Sequence, residues 1–167
     1  MLTFHTKVAE AAAIYGKLVL PYDQREKCRL RARLVSGEEV AIFTVRGTVL
    51  RDGDLLTGES GAVVQVTAAL EPTYAVYCDS EYALVRCAYH LGNRHTQVQI
   101  APGVLRIRVD PVLKETVEGL GAKVVEERTA FEPETGAYSS GGHSHGGDLL
   151  APVPLRQKIH RPGDPQA

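Results

Sequence analysis

From Arg29 to Val35 charged and apolar residues alternate with a period of two, Ser36-Gly37-Glu38-Glu39 interrupts the alternation, and Val40-Ala41-Ile42-Phe43-Thr44-Val45 takes it up again. A period of two on either side of a turn-forming cluster predicts a β-hairpin. Shorter extended runs at Thr48-Val49-Leu50 and Ala62-Val63-Val64-Gln65-Val66-Thr67 are set off by the turn formers Arg51-Asp52-Gly53-Asp54 and Gly58-Glu59-Ser60-Gly61. Strands this close together, with no helix between them, predict a small all-β sandwich or open barrel for residues 1–70. Arg29, Arg31 and Arg33 then share one strand face. Such a face can bind a partner, although a solvated face is the commoner use of this pattern.

The period changes after Glu71-Pro72. Thr73–Tyr77 reads as a strand, Asp79 or Ser80 as the N-cap of a helix through Tyr82, Val85, Arg86 and Tyr89, and Gly92 as its left-handed C-terminal residue. Thr96–Ile100 and Val104–Val109 form a second hairpin about Ala101-Pro102-Gly103. Asp110 caps another helix with Pro111 in its first turn, Val112, Leu113, Val117 and Leu120 fall at helical spacing, and Gly121 closes it before a last strand over Ala122–Arg128. Strand, helix, strand, strand, helix, strand is the order of the ferredoxin-like βαββαβ unit. From Glu132 onward Pro, Gly and Ser accumulate, which predicts a flexible tail. The fold class is therefore α+β: an N-terminal all-β domain over 1–70, a ferredoxin-like domain over 71–138 and a C-terminal tail over 139–167.

Composition narrows the partners. Twenty acidic residues against nineteen basic ones leave a formal charge of -1, so there is no electrostatic case for capturing nucleic acid or a membrane surface. The strands also lack the aromatic and basic pattern of an RNA-binding sheet. No run approaches the roughly 20 apolar residues of a spanning helix. The start of the chain has no basic, apolar and small-residue succession of a signal peptide, so a cytoplasmic location is expected. Cys28, Cys78 and Cys87 are odd in number and show no CxxC spacing, which predicts reduced thiols packed as small apolar groups.

The candidate chemistry lies in histidines. His95 follows the first long helix directly and should be accessible where the chain turns into the next strand, while Gly141-Gly142-His143-Ser144-His145-Gly146-Gly147 carries two imidazoles among glycines and so cannot be core packing. Neutral imidazole is a good ligand for nickel, zinc and copper. One imidazole is a poor site, but a two-fold homodimer would bring His95 from both subunits to one axis, with open positions that His143 or His145 can fill. A ligating imidazole must be unprotonated, so metal affinity is expected to weaken below about pH 6.5. The plainer reading, a hydrogen-bonded structural His95 and a neutral tail, stands beside this one. His90 is read as a helix-surface residue or one that supports a ligand from behind, before a ligand itself, and His5 and His160 belong to no constellation. There is no HExxH run, no histidine and carboxylate cluster at ligand spacing and no nucleophile beside a base, so no catalytic residue is expected.

The run Tyr89-His90-Leu91-Gly92-Asn93-Arg94-His95 resembles the signature of the urease accessory protein UreE family. The resemblance extends to Arg46-Gly47-Thr48-Val49-Leu50-Arg51-Asp52-Gly53-Asp54, to Gln99-Ile100-Ala101-Pro102-Gly103 and to Phe131-Glu132-Pro133-Glu134-Thr135-Gly136-Ala137-Tyr138, and so covers nearly the whole chain. It implies a homodimeric nickel metallochaperone working with the urease nickel-insertion GTPase and the urease apoprotein accessory complex. Ni2+ is then bound by His95 at the dimer interface and by a tail histidine, His145 before His143, with Zn2+ or Cu2+ as competitors. Metal storage, or a zinc- or copper-binding role, is the alternative, ahead of an RNA-binding ferredoxin-like module. Some members carry further histidines before the second helix; this chain has Arg108, Val109 and Pro111 there, which argues against several ions per dimer.

Overall fold

A computed structural model describes residues 1–135 of the chain. Its first half holds β1 (Leu2–Phe4), β2 (Thr6–Val8), β3 (Gly16–Leu20), a single helical turn α1 (Tyr22–Arg25), β4 (Arg29–Arg33), β5 (Glu39–Phe43), β6 (Leu55–Thr57) and β7 (Val63–Ala68). They make two sheets, ordered β1-β5-β4 and β2-β6-β7-β3. The expected hairpin is β4 with β5, in register from Arg29 opposite Phe43 to Arg33 opposite Glu39. Alternation along β7 buries Val64, Val66 and Ala68, and the first two join Phe4, Leu18, Leu20, Ile42, Leu50 and Leu56 in the core between the sheets. Two pairings are parallel, β1 with β5 and β3 with β7.

Two expectations for this half are corrected. Thr48–Leu50 is not a strand. Leu50 is fully buried, but its N–H donates to the Arg25 carbonyl of α1 at 2.9 Å, so its apolar character reflects a core-facing loop rather than a ladder. Conversely, β1, β2, β3 and β6 were not anticipated; three of the four are three residues long, too short for a period to show. Gly58 marks one of them, because a Cβ there would lie 1.8 Å from the Thr3 carbonyl oxygen. Only glycine lets the end of β6 pass so close to β1.

The second half is β8 (Leu70–Tyr77), α2 (Glu81–Asn93), β9 (Gln99–Ala101), β10 (Val104–Arg108), α3 (Pro111–Gly119) and β11 (Lys123–Ala130), with sheet order β11-β8-β10-β9. Numbered within this half the order is 4-1-3-2, the antiparallel ferredoxin-like arrangement expected. β8 starts at Leu70, earlier than its apolar run suggested, because β11 pairs with it along its full length from Leu70 opposite Ala130 to Tyr77 opposite Lys123. The hairpin partner β9 is shorter than expected and keeps Ala101 in the ladder. Cys87 and Leu91 from α2 and Val117 from α3 close over Tyr74, Val76, Leu105 and Ile107 of the sheet.

Both helices begin as expected. Ser80 accepts the Ala83 N–H through its side chain at 3.2 Å, and Asp110 accepts from Val112 and Leu113 at 2.8 and 3.2 Å, each supplying a partner for otherwise orphaned N–H groups. Their ends differ. Gly121, at φ 92°, follows α3 in the left-handed region, with its N–H on Glu118 and that of Ala122 on Val117, the paired bonds of a Schellman ending. α2 ends in the same way, but Gly92 is still helical and the left-handed position falls on His95.

One residue, Ala69, separates β7 from β8, and the two halves are closed on each other by a polar seam. The Arg25 side chain is fully buried there and donates to the carbonyls of Leu20 and Leu50 at 3.2 and 3.1 Å, to that of Phe131, and to the Glu132 carboxylate. Tyr22 meets Phe131 edge-on at 5.6 Å, and the Arg108 guanidinium lies over both rings. The tail therefore does not begin at Glu132: Phe131 and Pro133 are buried, and the Glu134 N–H bonds the Val98 carbonyl at 2.9 Å. His143, His145 and the 139–167 segment lie outside the described residues.

Candidate metal centre

The ending of α2 places His95. With Arg94 as C-cap, the His95 N–H donates to the Gly92 carbonyl at 2.9 Å and the Thr96 N–H to that of Leu91 at 3.2 Å. His95 itself sits at φ 54°, the one non-glycine residue with positive φ among the described residues. An L-residue there costs roughly 1–2 kcal/mol relative to glycine, so the position is occupied against local preference. The turn throws the imidazole outward. His95 is exposed on a shallow groove with Ala88, Gly92, Thr96, Val98, Ile100 and Glu134.

The flank of α2 leading to this point is unusual for a solvated helix. Tyr82, Val85 and Tyr89, at i, i+3 and i+7, are 77%, 67% and 64% exposed. They form an apolar stripe opposite the face carrying Cys87 and Leu91, and it runs toward Gly92 and His95. His90 is half-buried and stacked edge-on against Tyr89 at 5.4 Å.

Within one chain, no group of three or more His, Cys, Asp or Glu side chains is positioned to hold a metal ion among the described residues. Among the described residues His95 is thus a single exposed nitrogen donor beside an exposed apolar surface.

The remaining motifs converge elsewhere. Glu132 accepts from the Arg51 guanidinium at 3.0 Å and the Asp52 N–H at 3.2 Å, and its own N–H donates to the Gln99 side chain at 3.0 Å. The Arg46–Asp54, Gln99–Gly103 and Phe131 runs singled out in the sequence therefore meet at Glu132, the first through its carboxylate and the second through its backbone N–H. Arg25, which sequence reasoning passed over, is their buried centre. Its only advance signal was a charged residue between the apolar run Leu18-Val19-Leu20 and a strand.

Residues 5–69 match the family described as UreE urease accessory protein, N-terminal domain, and residues 71–161 the corresponding C-terminal domain. A protein named urease accessory protein UreE from Janthinobacterium sp. (strain Marseille) is 66% identical over 167 residues, covering 98% of each chain. The protein of the same name from Nitrosospira multiformis is 57% identical over 172 residues, again 98% of each. That from Cupriavidus necator is 52% identical over 132 residues, 79% of this chain and 68% of its own. An all-β domain fused to a ferredoxin-like domain with these relatives defines an accessory protein and not an enzyme. The chain belongs to the UreE urease accessory protein family.

Proposed function

We propose that the protein is a nickel metallochaperone of the cytoplasm that supplies Ni2+ for assembly of the urease active centre. Two copies pair across the Tyr82, Val85 and Tyr89 stripe of α2, bringing the two His95 imidazoles to the two-fold axis. Residues 71–138 serve metal binding and dimerisation, residues 1–70 engage partners, and those partners are the urease nickel-insertion GTPase and the urease apoprotein accessory complex. His145 or His143, from the 139–167 segment, adds a further donor from each chain.

The observation that carries this reading is the placement of His95: an exposed imidazole held at a strained left-handed position, at the end of an apolar stripe that stands exposed among the described residues. Symmetry turns one weak donor into two, and an incomplete donor set suits a carrier, because an acceptor can bind before the donor ligands leave. Ni2+ is cargo here, and the same nitrogen donors accept Zn2+ and Cu2+. Calorimetric nickel titration and sedimentation of the wild type, His95→Ala and a chain ending at Ser140 provide the test. His95→Ala should lose the tightest site while remaining folded and dimeric; undiminished tight binding in that variant rejects the assignment.

A further inference from the structure

Cys78 and Cys87 meet where β8 hands the chain to α2, and their sulfur atoms lie 3.8 Å apart. Cys78 directly follows the strand and lines a surface pocket with Ser80, Leu84, Val85 and Gly103, so a small reagent reaches it from solvent. Cys87, on the inner face of α2, is fully buried behind it. Cys28 is in the other domain, on the approach to β4. One thiol is open, its neighbour is shielded, and the two sulfurs are already within 3.8 Å, against the roughly 2.05 Å of a disulfide.

We infer that Cys78 and Cys87 form a reversible dithiol modification site, in which a hydroperoxide oxidises Cys78 and Cys87 resolves it to an intramolecular disulfide. The Cys78 thiolate attacks the peroxide oxygen, breaking the O–O bond; sulfenic acid forms on Cys78 and, with a proton, water leaves. The Cys87 sulfur then attacks the Cys78 sulfur, the S–O bond breaks, and the Cys87 proton leaves with that oxygen as a second water. Two thiols and one hydrogen peroxide become one disulfide and two waters. The direction of attack follows from the surroundings: Cys87 is shielded from solvent, and burial, then the neighbouring Cys78 sulfur, push its thiol up to about 11, so the first attack on peroxide falls to Cys78. The product ties the end of β8 to the second turn of the helix that carries His95.

Trypsin cuts between Arg86 and Cys87, so the two sulfurs fall in separate peptides, 52–86 and 87–94. The full-length reduced protein is treated with equimolar hydrogen peroxide, alkylated, digested and analysed by mass spectrometry. The expected product is peptide 52–86 linked to 87–94, separated again by dithiothreitol, with Cys28 fully alkylated. Cys87→Ser should instead accumulate sulfenic acid at Cys78 that a 1,3-dione probe captures, and Cys78→Ser should leave Cys87 unoxidised. Wild-type protein in which both thiols remain alkylatable, in which Cys78 proceeds to sulfinic acid unlinked, or in which Cys28 is the partner overturns the inference.

Discussion

His95 carries two opposed demands. As the residue after a helix it stands where the matching turn of α3 uses Gly121, and it pays in backbone strain for an outward-facing imidazole. The two demands separate on substitution. His95→Gly relieves roughly 1–2 kcal/mol of left-handed strain and loses about 0.4–1 kcal/mol to the greater freedom of the unfolded chain, a net gain of about 0–1.6 kcal/mol. Urea unfolding of the metal-free protein should therefore show a midpoint at or above wild type, while nickel titration shows the tight site gone. A clear loss of stability would mean that the ring makes packing contacts needed by the fold. The sequence pointed to His95 as accessible and just past a helix, and both hold. Its strained backbone was hidden because Gly92, three residues earlier, is the better left-handed candidate by local preference. The bond from Thr96 to Leu91, which extends the helix past Gly92, depends on burying Leu91 against the sheet.

Among elements, those long enough to show a period were legible. α2 and α3 were readable from Ser80, Asp110 and Pro111, and the β4–β5 hairpin from its alternating arginines, because capping and alternation are local effects written within a few residues. The short strands β1, β2 and β6 were not, since three residues carry no period and their pairing comes from distant partners such as Val40 and Leu56. Gly58 exposes that dependence. Gly58→Ala sets a Cβ against the Thr3 carbonyl, a backbone atom that cannot rotate away, so β1 or β6 must shift. The expected loss is about 1–3 kcal/mol, as for an overpacked core, measured by thermal unfolding with α2 and α3 intact. Thermal stability equal to wild type would show that the ends of β1 and β6 yield freely.

For the whole molecule, the two domains were visible as a change of period, whereas what joins them was not. A buried arginine satisfied by three carbonyls and a carboxylate from residues 20 to 132 leaves no local trace. Arg25→Leu strips those carbonyls and the Glu132 pair of their shared donor, and loss of one partner from a buried pair costs about 3–5 kcal/mol. Far-ultraviolet circular dichroism in urea should show a lower midpoint and a single transition splitting into two as the halves uncouple. An unchanged, single transition would mean that the β7–β8 connection alone couples them. That connection is one alanine, and its N–H is already bonded to Leu20. A protease requires several consecutive residues in a free, extended stretch to seat a chain in its cleft, and this junction offers none. The halves should consequently resist being cut apart at residue 69 under native digestion, and an isolated half would have to be made by shortening the gene, at the expense of either Arg25 or the Phe131-Glu132 pair that answers it.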